Sequence, residues 1–244
     1  MILKDKYKQV LDKFIMKYKK DDNVIGILVS GSIIHSKPDK NSDLDVHIIL
    51  NKSTMRERGN TWIDGVEIEY FINPISQINE YFRSEIDKPC TVHMLANSIV
   101  LYRRGEIVDK LIHRAKLLMR KKLPKMSKVE IENAKYLVDD LRKDLEDMYI
   151  KQDIFSFNFI ATKLLDECLN IFYKIKREPL EKTKQIANSI KKIDNKFADL
   201  YINSINERKM DERYRSINIV VDYLEKMLGG KRTKEWKLKG KLTL

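Results

Sequence analysis

Asp43 and Asp45 stand two residues apart at the head of an apolar run, residues 46–50. An earlier apolar run, residues 24–30, is closed by Gly31-Ser32, and ten residues separate that pair from Asp43. On an extended segment, two carboxylates two apart share one face. Like charges held together call for a cation to offset them. Gly31 lets a ligand approach the backbone closely, and Ser32 adds an N–H and a hydroxyl, which together suit a phosphate. Clustered carboxylates with no His/Cys constellation favour a hard, oxygen-liganded cation. Mg²⁺ fits best, because it takes one or two carboxylates and leaves positions for phosphate oxygens. Two such ions ~3.5–4 Å apart can activate a hydroxyl and bridge a triphosphate. The chemistry is then an in-line phosphoryl transfer governed by positioning and charge neutralisation.

Several elements must position these residues. Tyr7, Val10, Leu11, Phe14, Ile15 and Tyr18 form one stripe of a helix over residues 4–19. Residues 24–30 are short, apolar and β-branched, as in a buried strand. A short helix is expected to begin after Gly31-Ser32, and Pro38 breaks it. In the strand 45–50, Val46, Ile48 and Leu50 face one side; Asp43, Asp45 and His47 face the other. Residues 51–59 read as a polar connection. A further strand, 66–72, follows Asp64-Gly65 and carries Glu67 and Glu69 on one face. If it neighbours the aspartate strand, a third carboxylate joins the pair. Helices are expected over 75–83, 91–97 and 107–118, with a strand over 98–102.

Residues 121–127 are basic, contain Pro124 and lack an apolar period. Beyond them the β signal disappears. Ser127 and Glu130 form a capping box for a helix over 128–150. A second, more apolar helix spans 153–175, with Phe155, Phe159, Leu164, Leu165, Leu169, Phe172 and Tyr173 in a central position. Three more helical stretches cover 182–196, 197–207 and 211–228, and Gly229-Gly230 stops the last. The fold class is therefore α/β (α+β) with a small mixed sheet, followed by an all-α helical bundle.

The 244 residues suit one large domain or two small ones, and an apolar fraction of 43% supports a buried core. A net charge of +12 suits anionic partners, although a solvated lysine-rich surface accounts for it as well. Cys90 and Cys168 form neither a disulfide framework nor a zinc pattern, so a reducing, cytoplasmic setting is expected. The N-terminus is charged too early for a signal peptide, and no apolar run approaches the ~20 residues of a membrane span.

Gly31-Ser32 followed by Asp43-Leu44-Asp45 after Ser42 resembles the signature of the nucleotidyltransferase superfamily that includes DNA polymerase beta. Within it the chain is most similar to small bacterial nucleotidyltransferases of the aminoglycoside and lincosamide resistance kind, which pair the catalytic domain with a helical bundle. The resemblance implies a nucleotidyltransferase domain over 1–122, a helical bundle over 123–230 and a basic tail over 231–244. It implies that Gly31 and Ser32 hold the nucleotide's phosphates, and that Asp43 and Asp45 bind metal. The third acid of the family matches Glu69 better than Glu67, as metal ligand or general base. The implied cofactors are Mg²⁺, as two ions, with ATP or another nucleoside triphosphate as co-substrate.

The implied activity is transfer of AMP from ATP to a hydroxyl of a small-molecule acceptor, an antibiotic among the options. A protein or RNA acceptor is the alternative, and a non-catalytic nucleotide-binding module a third. The expected partners are the triphosphate and the hydroxyl-bearing acceptor. Nucleic acid is compatible but not favoured, no membrane partner is expected, and a homodimer is left open. Arg56 and Arg58 are weighed as nucleotide contacts. His47 is expected to be a hydrogen-bonded structural residue, and His35, Lys37 and Lys40 are given no role at the site. Asp139, Asp140 and Asp144 are read as a solvated acidic face, and the tail with Trp236 as a disordered terminus.

Overall fold

The run VIGILVS forms β1 (Val24–Ser30), and every residue in it is buried. A strand without polar alternation requires a sheet covered on both faces. The computed structural model of the chain, which describes residues 5–31, 34 and 43–237, has that arrangement. It divides into two units, Met1–Lys121 and Lys122–Leu244.

In the first unit, α1 (Asp5–Tyr18) precedes β1. After it come β2 (Leu44–Leu50), β3 (Glu57–Ile63), β4 (Val66–Pro74), α2 (Ile75–Ser84), α3 (Cys90–Ala96), β5 (Ile99–Arg103) and α4 (Ile107–Arg120). The strands form a mixed five-stranded sheet in the order β3-β4-β2-β1-β5. The β2–β4 pair is parallel, and the other neighbours are antiparallel. Val10, Leu11, Phe14 and Ile15 of α1 pack with Ile27, Val46 and Ile68 on one face. Ile78, Phe82, Val92, Leu95 and Leu111 of α2, α3 and α4 cover Leu28 and Ile49 on the other. The apolar periods of these helices and strands thus close a three-layer core.

One strand departs from the sequence reading. Residues 57–63 are the edge strand β3, not a connection and an unassigned stretch. Asp64 and Gly65, at φ 50° and 71°, turn it tightly into β4. Positive φ at both central residues is the hairpin geometry that Asp-Gly favours.

The second unit holds α5 (Lys128–Ile150), α6 (Ile154–Lys176), a 3₁₀ turn (Thr183–Gln185), α7 (Ile186–Ile193), α8 (Asn195–Asn206) and α9 (Met210–Met227). The expected capping box starts α5: Ser127 Oγ accepts from Glu130 N at 3.2 Å, and Glu130 Oε2 accepts from Ser127 N at 2.7 Å. The Ser127 N–H and the Ser127 hydroxyl, which also donates to Oε2 at 2.7 Å, hold the Glu130 carboxyl below its ordinary range. The glycine pair ends α9: Gly230 N donates to Glu225 O at 2.8 Å and Gly229 N to Lys226 O at 3.2 Å, a Schellman stop. Asp194 ties three helices together. It caps α8 through Phe197 N at 3.0 Å, and accepts from Lys176 Nζ of α6 at 2.8 Å and Tyr223 Oη of α9 at 3.1 Å.

The apolar face of α6 differs from the sequence reading in its first turns. Phe157 is buried, whereas Phe155 is 81% and Phe159 60% exposed. Residues two apart lie about 200° apart around a helix, so a core that takes Phe157, Ala161, Leu164 and Leu165 turns Phe155 and Phe159 outward. The described part of the tail is packed rather than detached. Arg232 pairs with Asp139 at 2.5 Å, and the Trp236 ring stacks on Tyr136 at 4.9 Å between centroids. Residues 238–244 lie outside the described residues. Both cysteines are free, Cys168 in the core and Cys90 exposed. No helix among the described residues is long and apolar enough to cross a membrane.

Candidate active site

Strand register builds the site. Ser30 of β1 pairs with Asp45 of β2, Asp45 with Glu69 of β4, and Glu69 with Asn60 of β3. Paired residues share a face, so these four side chains form one row across four strands. Two residues further along each strand, Leu28, His47, Phe71 and Arg58 form the next row. Asp43 lies just ahead of β2. A carboxylate oxygen from each of Asp43, Asp45 and Glu69 lies within 4.8 Å of the other two. All three side chains are half-buried.

That donor set is all oxygen and all anionic. It fits a hard divalent cation such as Mg²⁺ and does not suit a soft metal. Gly31 shapes the same corner. Its φ is +100°, and a β-carbon there would stand 2.7 Å from Asp45 Oδ2. The residue is glycine for two reasons, backbone angle and clearance of the carboxylate. Ser32, expected to hold phosphate with Gly31, lies outside the described residues, as do His35, Lys37 and Lys40.

Glu69, rather than Glu67, stands with the aspartates. Glu67 lies two residues back on β4, where Asn60 Nδ2 donates to its Oε1 at 2.9 Å. His47 is buried behind Asp45. Its Nε2 shares a hydrogen bond with Ser30 Oγ at 3.2 Å, and its ring stacks on Phe71 at 5.0 Å. It supports the floor of the site. Asp139 of α5 is engaged by Lys143 at 2.8 Å and by Arg232. Burial opposes its ionisation, but those two cations outweigh it and hold its carboxyl below the ordinary range.

Two residues in the supposed connection prove to be part of the site wall. Arg58 Nε donates to Glu69 Oε1 at 2.7 Å, and its Nη2 lies 2.6 Å from the same oxygen. The bond to Glu69 raises the Arg58 pKa further above its already high ordinary value. Arg56 Nη1 donates to Tyr81 Oη at 2.9 Å. The signal that locates Arg58 is the Asp64-Gly65 turn, which makes residues 57–63 the partner of β4; Arg56 lies just ahead of that strand. A cavity of about 460 Å³ is lined by Asp45, Glu69, Arg56, Phe71, Tyr81 and Cys90 among others. A second, of about 410 Å³, is lined by Asp43, Gly59, Asn60, Glu67, Glu69 and Arg58.

No protein-family model matches the sequence, and no curated protein matches it. Among solved structures, the crystal structure of a nucleotidyltransferase-like protein from Exiguobacterium sibiricum 255-15 has a similar fold. The TM-score is 0.53 at 10% identity, over 89% of this chain and 74% of that one. The likeness is one of fold, and it does not reach to the aminoglycoside-type subgroup. With a mixed sheet carrying three clustered carboxylates, the chain has a nucleotidyltransferase-like fold.

Proposed function

We propose that the chain is a Mg²⁺-dependent nucleotidyltransferase that moves a nucleoside monophosphate, AMP from ATP, to a hydroxyl group of a small-molecule acceptor. The observation that carries this reading is the convergence of Asp43, Asp45 and Glu69 within 4.8 Å on a sheet of nucleotidyltransferase-like fold. These three side chains would hold the ion or ions. When bound, Mg²⁺ supplies charge neutralisation for the phosphate oxygens and makes the attacking hydroxyl more acidic.

The protein's own part is positional. Gly31 keeps its backbone clear of Asp45, so the carboxylate and a phosphate can approach the same corner. His47 and Phe71 hold the floor beneath the acids. The acceptor hydroxyl attacks the α-phosphorus and gives its proton to a carboxylate of the triad. The new O–P bond forms as the bond from the α-phosphorus to the bridging oxygen breaks, and pyrophosphate leaves in line. The cavity of about 460 Å³ beside Asp45 and Glu69 is of the size that binds small molecules, which favours that class of acceptor.

The test is incubation of the protein with ATP labelled at the α-phosphate, Mg²⁺ and a panel of hydroxyl-bearing acceptors, beside Asp43→Asn and Asp45→Asn. Wild type is expected to release pyrophosphate and label an acceptor, and the variants are expected to lose this by about a hundredfold or more, as for a lost electrostatic stabiliser. Wild type performing no better than the variants would sink the reading.

A further inference from the structure

The third carboxylate of the triad is held by a protein cation. Arg58 sets Nε and Nη2 on a single oxygen of Glu69, at 2.7 and 2.6 Å. Its guanidinium carbon lies 5.1 Å from the centre of the Phe71 ring. The Arg58 side chain is nonetheless 71% exposed, while that of Glu69 is 24% exposed. The arginine head thus lies over the acid on the solvent side, held by a charge and a ring face rather than by packing.

This pair also has a particular place. Arg58 and Glu69 line both the cavity of about 460 Å³ and the cavity of about 410 Å³. Asp45 opens on the first and Asp43 on the second. The ion pair is therefore a wall shared by two spaces that meet at the acidic triad.

Without a divalent cation, Arg58 offsets the crowding of three negative charges. A cation on the triad takes over that task and repels the guanidinium, because like charges a few ångströms apart are unfavourable in any protein environment. Arginine released there needs an anion, and its planar fork matches phosphate. We propose that Arg58 is a two-position gate. In the metal-free protein it holds Glu69 and divides the two cavities; with metal and nucleotide bound it releases Glu69, joins the cavities and binds a phosphate of the nucleoside triphosphate. The inference rests on the proposed function and adds a phosphate-binding residue and an order of events to it.

A gate has a signature that a plain structural or substrate-binding residue lacks, because its two states respond with opposite sign. Removing Arg58 removes a competitor for Glu69, so divalent metal alone binds more tightly. It also removes a phosphate contact, so metal-bound nucleotide binds more weakly. The probes are Mn²⁺ alone, followed by electron paramagnetic resonance, and Mg²⁺ with an α,β-methylene ATP analogue, followed by calorimetry. They are applied to the full chain as wild type, Arg58→Ala, Arg58→Lys and Asp45→Asn.

Arg58→Ala is expected to bind Mn²⁺ about two- to fivefold more tightly, the equivalent of an exposed ion pair. The same variant is expected to bind the analogue about tenfold more weakly, the equivalent of a charge-assisted hydrogen bond. Arg58→Lys keeps the charge without the fork and is expected to fall between wild type and Arg58→Ala in both titrations. Shifts of the same sign, or unchanged Mn²⁺ affinity in Arg58→Ala beside a wild type that binds Mn²⁺ through Asp45, would overturn the gate alone. A wild type that binds no more Mn²⁺ than Asp45→Asn would overturn the gate together with the reading beneath it.

Discussion

The α-carbon of Gly31 faces Asp45 so closely that a β-carbon would stand 2.7 Å from Oδ2. The backbone there is also at φ +100°. Gly31→Ala should therefore do two things. It should lower stability by about 1–2 kcal/mol, the usual cost of a side chain at positive φ, and it should displace a triad carboxylate and weaken Mn²⁺ binding. Gly65→Ala is the control, because Gly65 has φ +71° but nothing within 4 Å of its would-be β-carbon. It should lose stability and keep Mn²⁺ affinity. Equal Mn²⁺ affinity in both variants would show that the clearance at Gly31 does not serve the carboxylate.

What could be read in the sequence was local, and what could not was lateral. Gly31, Asp43 and Asp45 are legible because turn and strand chemistry follow from neighbours along the chain. Ser127, Glu130, Gly229 and Gly230 are legible for the same reason. Strand β3 is polar and Gly-containing, so its periodicity is weak; it exists because Asp64-Gly65 folds it onto β4. The contact of Arg58 with Glu69 depends on that pairing and on a diagonal reach between rows, which no spacing along the chain encodes. Phe155 and Phe159 show the converse: they share a helical face with each other, and the core takes the face of Phe157 instead.

Gly59 answers to the opposite face of β3. A β-carbon there would lie 2.5 Å from Tyr70 Oη and 2.6 Å from Cζ. Tyr70 is held by a bond to Glu57 Oε1 at 3.0 Å and by the Phe14 ring at 5.7 Å, so it has little room to yield. Gly59→Ala should cost about 1–3 kcal/mol, as overpacking does. In a Tyr70→Ala background the same change should cost almost nothing, which gives a coupling of similar size in urea denaturation. Additive effects of the two substitutions would contradict the steric account.

Asp194 predicts how the helical unit responds to acid. Its partial burial raises the pKa, but the Lys176 ammonium, the Phe197 N–H and the Tyr223 hydroxyl outweigh that and hold it below the ordinary carboxylate range. A carboxylate depressed on folding stabilises fully above its unfolded pKa, about 3.9, and loses that contribution as pH falls through the lower folded value. Asp194→Asn keeps a capping oxygen but not the charge. At pH 7 it should be about 2 kcal/mol less stable than wild type, the scale of hydrogen bonds to a charged group. The gap should close only below about pH 4. A gap that stays constant to pH 2 would mean that the charge contributes nothing.

The tail offers the last test. Lys231 lies 3.6 Å from Asp222 and 3.7 Å from Glu225, Arg232 pairs with Asp139, and the Trp236 ring lies on Tyr136 with planes 10° apart. Lys231 is itself 67% exposed, and an ion pair made at long range by an exposed lysine contributes little and fades with salt. The ring pair buries apolar area and should contribute about 0.5–1.5 kcal/mol. A cycle of Trp236→Ala, Tyr136→Ala and the double variant should therefore give a coupling in that range at both low and high salt. Lys231→Ala, in contrast, should lose most of its small effect in high salt. If the ring coupling is zero while the Lys231 effect persists in high salt, charge rather than stacking holds the tail to α5 and α9.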